Sequence, residues 1–373
     1  MAINGKTVGL ALSGGGYRAS LFGLGSLWRL NDAGLLGNID RITSVSGGSI
    51  LSGVLAHRWT QLQFNQGRAT NFAQVMAEPV QAFCAHTIDV SVGLMGLLTP
   101  FKSAGEFLIG RYQKDLFGHT TLKELPAPES GAPNFTFYAT NLQTGRSFRF
   151  QRDKVADYKL GESSRVVLPL ATAVAASSAF PPLFSPIILD TDPADWVSTE
   201  FTLPHPEKLR KRVMLADGGI YDNMGLERLV GHSEDKVDIV LVSDAGAPFG
   251  LEEEPHEDYV RQLGRVRDIL IDQTRALRKR WLIDELRAGR KMGAYWGVAT
   301  QIDKYAAPSA LATDTPLTAS LDDVPTRLSG FEPELQGRLI NWGYALCDAA
   351  LRTHAGLAVP AMASLPLPQW SLK

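Results

Sequence analysis

The chain has 373 residues, and 37 Lys and Arg against 39 Asp and Glu leave a formal charge of -2, without the basic excess that general nucleic-acid binding requires. Charged residues at 20% and apolar ones at 45% exclude a disordered chain, and no apolar run reaches the roughly 18 residues of a spanning helix. Cys84 and Cys347, the only cysteines, lack the spacing of a zinc site and the density of a disulfide scaffold, which predicts buried thiols in a reducing, cytoplasmic compartment.

In chain order, the apolar run Val8 to Leu12 is too short for a signal-peptide core and predicts a first strand over Lys6 to Ser13. After Gly14-Gly15-Gly16, the stretch Arg18 to Ala33 sets Leu21, Leu24, Leu27, Trp28 and Leu30 near a helical period, with Gly34 as its stop. Ile39 to Val45 predicts a second strand ending at Ser46, and helical spacing resumes over Ser49 to Trp59. Strand, helix, strand, helix in this order predicts right-handed βαβ units and a parallel sheet. The alternation is lost between about Gln61 and Pro133, which reads as a helical cap insertion. Within it, Met95, Leu97, Leu98, Phe101, Phe107, Leu108 and Ile109 suit either an apolar lid that docks on a bilayer or residues packing the cap onto the body.

Strands return over Phe135 to Thr140 and Ser147 to Gln151, around the turn signal Gln143-Thr144-Gly145. Leu170 to Ala179 is small and apolar and stops at Pro181-Pro182, and Val213 to Ala216 and Val237 to Ser243 are further apolar strands. A long charged helix is expected over Glu257 to Gly289, with Val260, Leu263, Val266, Leu270, Leu277, Trp281 and Leu286 on one face. Its basic segment Arg275 to Arg280 reads as a solvated face offset by Asp268, Asp272, Asp284 and Glu285. Asp303 to Ser329 reads as loop and Pro333 to His354 as a final amphipathic helix.

Three short motifs carry chemistry. Gly14-Gly15-Gly16-Tyr17-Arg18-Ala19 stands between a strand and a helix, where backbone N–H groups at a helix N-terminus suit an anion or a developing oxyanion. The same glycines fit a loose dinucleotide fingerprint, but the next strand ends Thr43-Ser44-Val45-Ser46 and offers no ribose-binding acid. Ser44-Val45-Ser46-Gly47-Gly48 resembles a nucleophile elbow with serine in place of its first glycine. Asp217-Gly218-Gly219 follows the apolar strand Val213 to Ala216, placing a carboxylate at a strand end beside residues without side chains.

In this order the three motifs resemble those of the patatin-like phospholipases. Tyr138-Ala139-Thr140-Asn141 with Thr144-Gly145, the stretch Ala176 to Pro186, and Asn223 also look like family segments. Gly-Gly-Gly-Tyr-Arg-Ala is more similar to the cytosolic phospholipase A branch. The resemblance implies a three-layer α/β/α patatin-like fold with a mostly parallel central sheet and helical insertions. It implies one catalytic domain over residues 1–373, with a core of about 6–245, a cap of about 61–133 and a C-terminal helical extension of about 257–356. It further implies a catalytic dyad of Ser46 as nucleophile and Asp217 as base. Gly15 and Gly16, with Gly14, would form the oxyanion hole, and Arg18, Gly47, Gly218, Gly219 and Asn223 would support loop or substrate. The implied activity is hydrolysis of phospholipid or lysophospholipid acyl esters through an acyl-enzyme, with no metal or organic cofactor, a lipid substrate and transient peripheral membrane contact as partners, and no nucleic acid. Two other readings stay open. One is a Ser-His-Asp triad using His232, His256 or His354; the other is a lipid-binding module of the same fold without turnover.

Overall fold

The computed structural model describes residues 5–88, 104–230 and 236–373. Ten strands form one sheet: β1 (Val8–Leu12), β2 (Arg41–Val45), β3 (Asn134–Asn141), β4 (Arg146–Phe150), β5 (Val155–Asp157), β6 (Gly161–Ser163), β7 (Ile187–Asp190), β8 (Arg212–Asp217), β9 (Ile239–Asp244) and β10 (Met292–Gly297). The order is β10-β9-β1-β2-β3-β4-β5-β6, with β8 lying between β3 and β7. Strands β10 to β3 are parallel in this row, whereas β4, β5, β6, β7 and β8 pair antiparallel. The helices that position the site are α1 (Gly16–Asp32), α2 (Gly47–Arg58), α3 (Leu170–Ser178), α4 (Tyr259–Arg287) and α5 (Pro333–His354).

The two-residue period of the central strands sorts their side chains onto two apolar layers. Leu10 and Leu12 of β1 and Leu241 of β9 enter the larger core with α1, α2, α3 and α5. Ala11, Val240 and Val242 face the opposite way, onto Met224, Leu226, Leu229 and Leu282 of α4. Helices thus cover both faces of a mostly parallel central sheet, as the βαβ alternation predicts. Strand β10 and the short strands β5, β6 and β7 carry no clear two-residue alternation, and the sequence did not point to them.

One expectation is corrected in part: the basic segment Arg275 to Arg280 is not wholly a solvated face. Helix α4 forms, but its apolar stripe points away from the body: Val260, Leu263, Val266, Leu270, Leu277 and Trp281 are exposed. The basic segment meanwhile faces inward in part, with Arg275 paired to Asp244 at 3.0 Å and Arg278 to Asp222 at 3.6 Å. Periodicity locates a face on a helix without saying which face meets the core. Only Leu282, Ile283 and Leu286, near the end of α4, pack into the apolar layer.

Among the described cap residues, Leu108 is buried and Phe107 and Ile109 pack against the main core, the packing alternative of the two weighed above. Met95, Leu97, Leu98 and Phe101 lie outside the described residues. Among the described residues, no helix is long and apolar enough to cross a membrane. Cys84 and Cys347 are buried free thiols.

Candidate active site

The site is built where strand tips meet. Strand β2 pairs with the first half of β3, up to Val45 opposite Tyr138. Strand β8 approaches from the other direction along the same edge of β3 and ends with Asp217 opposite Ala139. The tips of β2 and β8 therefore face each other across consecutive positions of β3, and the residues at those tips are Ser46 and Asp217. Strand β1, beside β2, delivers the glycine turn to the same place: an added Cβ on Gly14 would lie 3.1 Å from Ser46 Cβ.

Ser46 is held in a backbone conformation that few residues adopt, φ 51° and ψ -120°, the strained geometry of a sharp strand-to-helix turn. A chain of buried hydroxyls fixes it: Ser46 N–H donates to Ser177 Oγ at 3.0 Å, Ser177 Oγ meets Ser49 Oγ at 2.8 Å, and Ser49 Oγ donates to Ser44 Oγ at 3.0 Å. The serine that replaces the elbow's first glycine is thus part of the scaffold. Gly47 is needed for close approach, since a Cβ there would sit 2.0 Å from the Gly16 carbonyl oxygen.

Asp217 is buried at the end of β8 and anchored from three sides. Its N–H donates to Ala179 O at 3.0 Å, its carbonyl accepts from Thr140 Oγ1 at 2.8 Å, and its carboxylate accepts from Gly219 N–H at 2.7 Å. Gly218 N–H ties the same turn to Ser177 O at 3.2 Å. Burial raises the carboxyl to about 6, while hydrogen bonds from Gly219 N–H and the Ser46 side chain pull the other way. The carboxylate that contacts Ser46 is thereby a stronger base than an ordinary aspartate.

The glycine turn separates into two parts. Gly14 N–H is spent on Asn223 O at 2.9 Å, so it is not free for an oxyanion. The N–H groups of Gly15 and Gly16 donate no hydrogen bond among the described residues and lie at the N-terminus of α1, whose dipole favours negative charge there. Asn223 lines the cavity beside Gly219 and through its carbonyl holds the glycine turn to the Asp-Gly-Gly turn. Arg18 is buried away from the cavity. Its guanidinium donates to Ala245 O at 2.8 and 3.2 Å, to Val324 O at 2.7 Å and to Asp322 O, so it ties loops together and does not line the cavity.

Ser178, Phe180 and Phe184 belong to the segment Ala176 to Pro186 singled out above, whereas the rest of the wall carries no signal in the sequence. The cavity, about 780 Å³, is closed on one side by Ser178, Phe180 and Phe184 and on another by Thr326, Arg327 and Leu328, within the stretch expected to be plain loop. Arg327 O accepts Tyr17 N–H at 3.0 Å and so fastens that loop over the glycine turn. The third wall is α4, through Arg265, Arg267, Ile271 and Arg275. Arg275 makes two hydrogen bonds to the buried Asp244, at 3.1 and 3.0 Å, and Tyr295 Oη donates to the same carboxylate at 2.8 Å. Burial alone would raise the Asp244 carboxyl, but Arg275, with Gly246 N–H and Tyr295, holds it below the ordinary range.

No histidine lines the cavity among the described residues. His256 lies exposed against Arg261 and His354 against the Tyr305 ring, while His232 falls outside the described residues. Among those residues no group of three or more His, Cys, Asp or Glu could hold a metal ion. The family segment around Asn141 is structural: Asn141 Nδ2 and Thr144 Oγ1 both donate to Asp157, at 3.0 and 2.8 Å, shaping the β3–β4 turn.

A family model described as patatin-like phospholipase matches residues 10–230. Among solved structures, human GIVD cytosolic phospholipase A2 is similar with a TM-score of 0.53 and 14% identity, over 91% of this chain and 58% of the human one. The same human protein in complex with methyl gamma-linolenyl fluorophosphonate gives 0.51 and 14%, over 92% and 57%. VipD from Legionella pneumophila aligns at 0.38 and 15%, over 94% of this chain and 67% of VipD. This chain therefore spans less than two thirds of the human protein, and at such identities the likeness is one of fold. A comparison with curated proteins gave no match.

Proposed function

The chain belongs to the patatin-like phospholipase family, and from that premise we propose that it is a serine acyl hydrolase of lipid esters, a single catalytic domain in which Ser46 and Asp217 act as a dyad. The observation that carries this reading is the meeting of β2 and β8, which sets a strained serine on a buried carboxyl raised to about 6. Asp217 takes the Ser46 proton directly as Oγ attacks the ester carbonyl. The N–H groups of Gly15 and Gly16 receive the oxyanion, and one such donor is typically worth about 2.7–4 kcal/mol of barrier. Collapse of the tetrahedral intermediate expels the alcohol, which takes back the proton from Asp217. Water activated by the same carboxylate then attacks the acyl-enzyme, releasing the fatty acid and restoring Ser46. Each step uses groups of this chain, so the chemistry calls for no cofactor.

The proposed substrates are fatty-acyl esters of phospholipids or lysophospholipids, met by transient peripheral contact from the cytoplasm. A cavity of about 780 Å³ with Phe180, Phe184 and Leu328 in its walls has room and apolar lining for an acyl chain. The family of the chain and the absence of histidine from the described walls support the dyad over a triad.

The test is a fluorophosphonate probe followed by mass spectrometry, beside lipidomics of a lipid extract incubated with wild type and Ser46→Ala. Expected are an adduct on Ser46 and loss of a phospholipid or lysophospholipid class in the wild-type sample alone. A folded protein that takes no adduct and depletes no lipid would be a binding module.

A further inference from the structure

Helix α4 has an inner and an outer surface with opposite roles. Its inner surface gives the cavity Arg265, Ile271 and Arg275. Its outer surface carries Leu263, Val266, Leu270, Leu277 and Trp281 in one helical stripe, with Leu270 61% and Leu277 59% exposed. Large apolar side chains exposed in a row along one helix face are costly in water and mark a contact surface. Leu183, 53% exposed, extends the apolar area at the rim, where Arg267 Nη1 donates to Pro181 O at 3.3 Å.

From this arrangement we infer that the outer face of α4 is the surface through which the protein docks on a phospholipid bilayer, with the cavity opening alongside. The inference rests on the lipid-hydrolase reading for its purpose and on separate residues for its argument. The stripe is flanked on one edge by Arg280 and Arg287, both exposed, cations placed to meet lipid phosphates while leucines and Trp281 enter the boundary of the acyl region. Gln273 and Asp284 also stand in the stripe and are exposed. A protein partner would have to desolvate them, whereas the headgroup layer keeps them hydrated. A second copy packed antiparallel across this face would bring the Arg280 and Arg287 edges of the two helices together. Glu252, Glu253 and Glu254 lie exposed just ahead of the helix and hold that end off an anionic surface, so the segment from Val266 to Trp281 makes the contact.

The experiment is co-sedimentation with vesicles of phosphatidylcholine and phosphatidylglycerol, in a Ser46→Ala background so that no lipid is consumed. Leu270→Asp with Leu277→Asp lowers vesicle partitioning by about tenfold or more, since two apolar side chains no longer leave water. Arg280→Gln with Arg287→Gln lowers it less, and only where phosphatidylglycerol is present. With Ser46 intact, the leucine variant hydrolyses a soluble short-chain ester at the wild-type rate, which shows that the cavity is undisturbed. Unchanged partitioning of the leucine variant overturns the inference. So does a dimer in sedimentation velocity that the same variant dissolves, which would give the face to a second copy. If Ser46-intact protein fails on the soluble ester while the leucine variant still loses vesicle binding, the docking surface stands and the hydrolase reading falls.

Discussion

The cavity has two kinds of wall. The wall made by the tips of β1, β2 and β8 is backbone: turns of glycine and serine whose groups are fixed by main-chain hydrogen bonds, such as Gly14 N–H to Asn223 O at 2.9 Å and Gly218 N–H to Ser177 O at 3.2 Å. The α4 wall is side chain, joined to the sheet by Arg275 on Asp244 and by the apolar residues at its end. The first kind cannot shift without breaking the sheet, which suits groups that must be aligned before reaction. The second rests on a few replaceable contacts, and its outer surface remains available for binding.

The contrast can be broken at three points. Asp217→Asn keeps the shape of the turn but removes the proposed base, and kcat should fall by about 10⁴-fold in a steady-state assay on a soluble ester. Arg275→Met strands the Asp244 carboxylate in the interior, so unfolding in denaturant at neutral pH should show a loss of about 3–5 kcal/mol; Asp244→Asn added to it should restore part of that. Gly16→Ala attacks the backbone wall. Gly16 has φ 56° and an added Cβ would sit 2.5 Å from Arg327 O, so displacement of its N–H should lower kcat by about 10²–10³-fold with little change in KM.

The smallest effects concern protons. In the proposed dyad Asp217 must be ionised to accept the Ser46 proton, and its carboxyl is raised to about 6, so kcat/KM should fall about tenfold per pH unit below that value. The same shift has a consequence for stability. Between the ordinary aspartate range and about 6, the native state binds more protons than the unfolded chain, so stability falls as pH rises through that window. At neutral pH Asp217→Asn should therefore gain about 2–3 kcal/mol in denaturant unfolding, and the gain should vanish toward pH 4. An inactive variant more stable than the wild type would show that the backbone wall holds its carboxylate against its own folding preference.

The backbone wall was the legible one. Gly14 to Gly16, Ser44 to Gly48 and Asp217 to Gly219 are contiguous, because a turn that brings main chain close to main chain must be written in adjacent small residues. The chain order of strands and helices announced the parallel sheet for a similar reason, since each period is local. The α4 wall and the loop over Thr326 to Leu328 could not be read, because their contacts join residues far apart: Asp244 with Arg275 for the helix, and Arg18 with Val324 O and Tyr17 with Arg327 O for the loop. The inverted α4 was hidden by the same limit. Its stripe is plain in the sequence, but whether leucines meet a core or a solvent is decided by elements that the helix itself does not encode.

Strand β3 contributes no reacting group, yet it acts as the gauge of the site. Val45 is seated against Tyr138 and Asp217 against Ala139, so the span from Ser46, the proposed nucleophile, to Asp217, the proposed base, is set by a single peptide step of a third strand. One residue inserted between Tyr138 and Ala139 would part the two tips by about 3.3 Å, more than a proton can cross. The spacing of Ser46 and Asp217 is here stored in the length of a strand that neither of them belongs to.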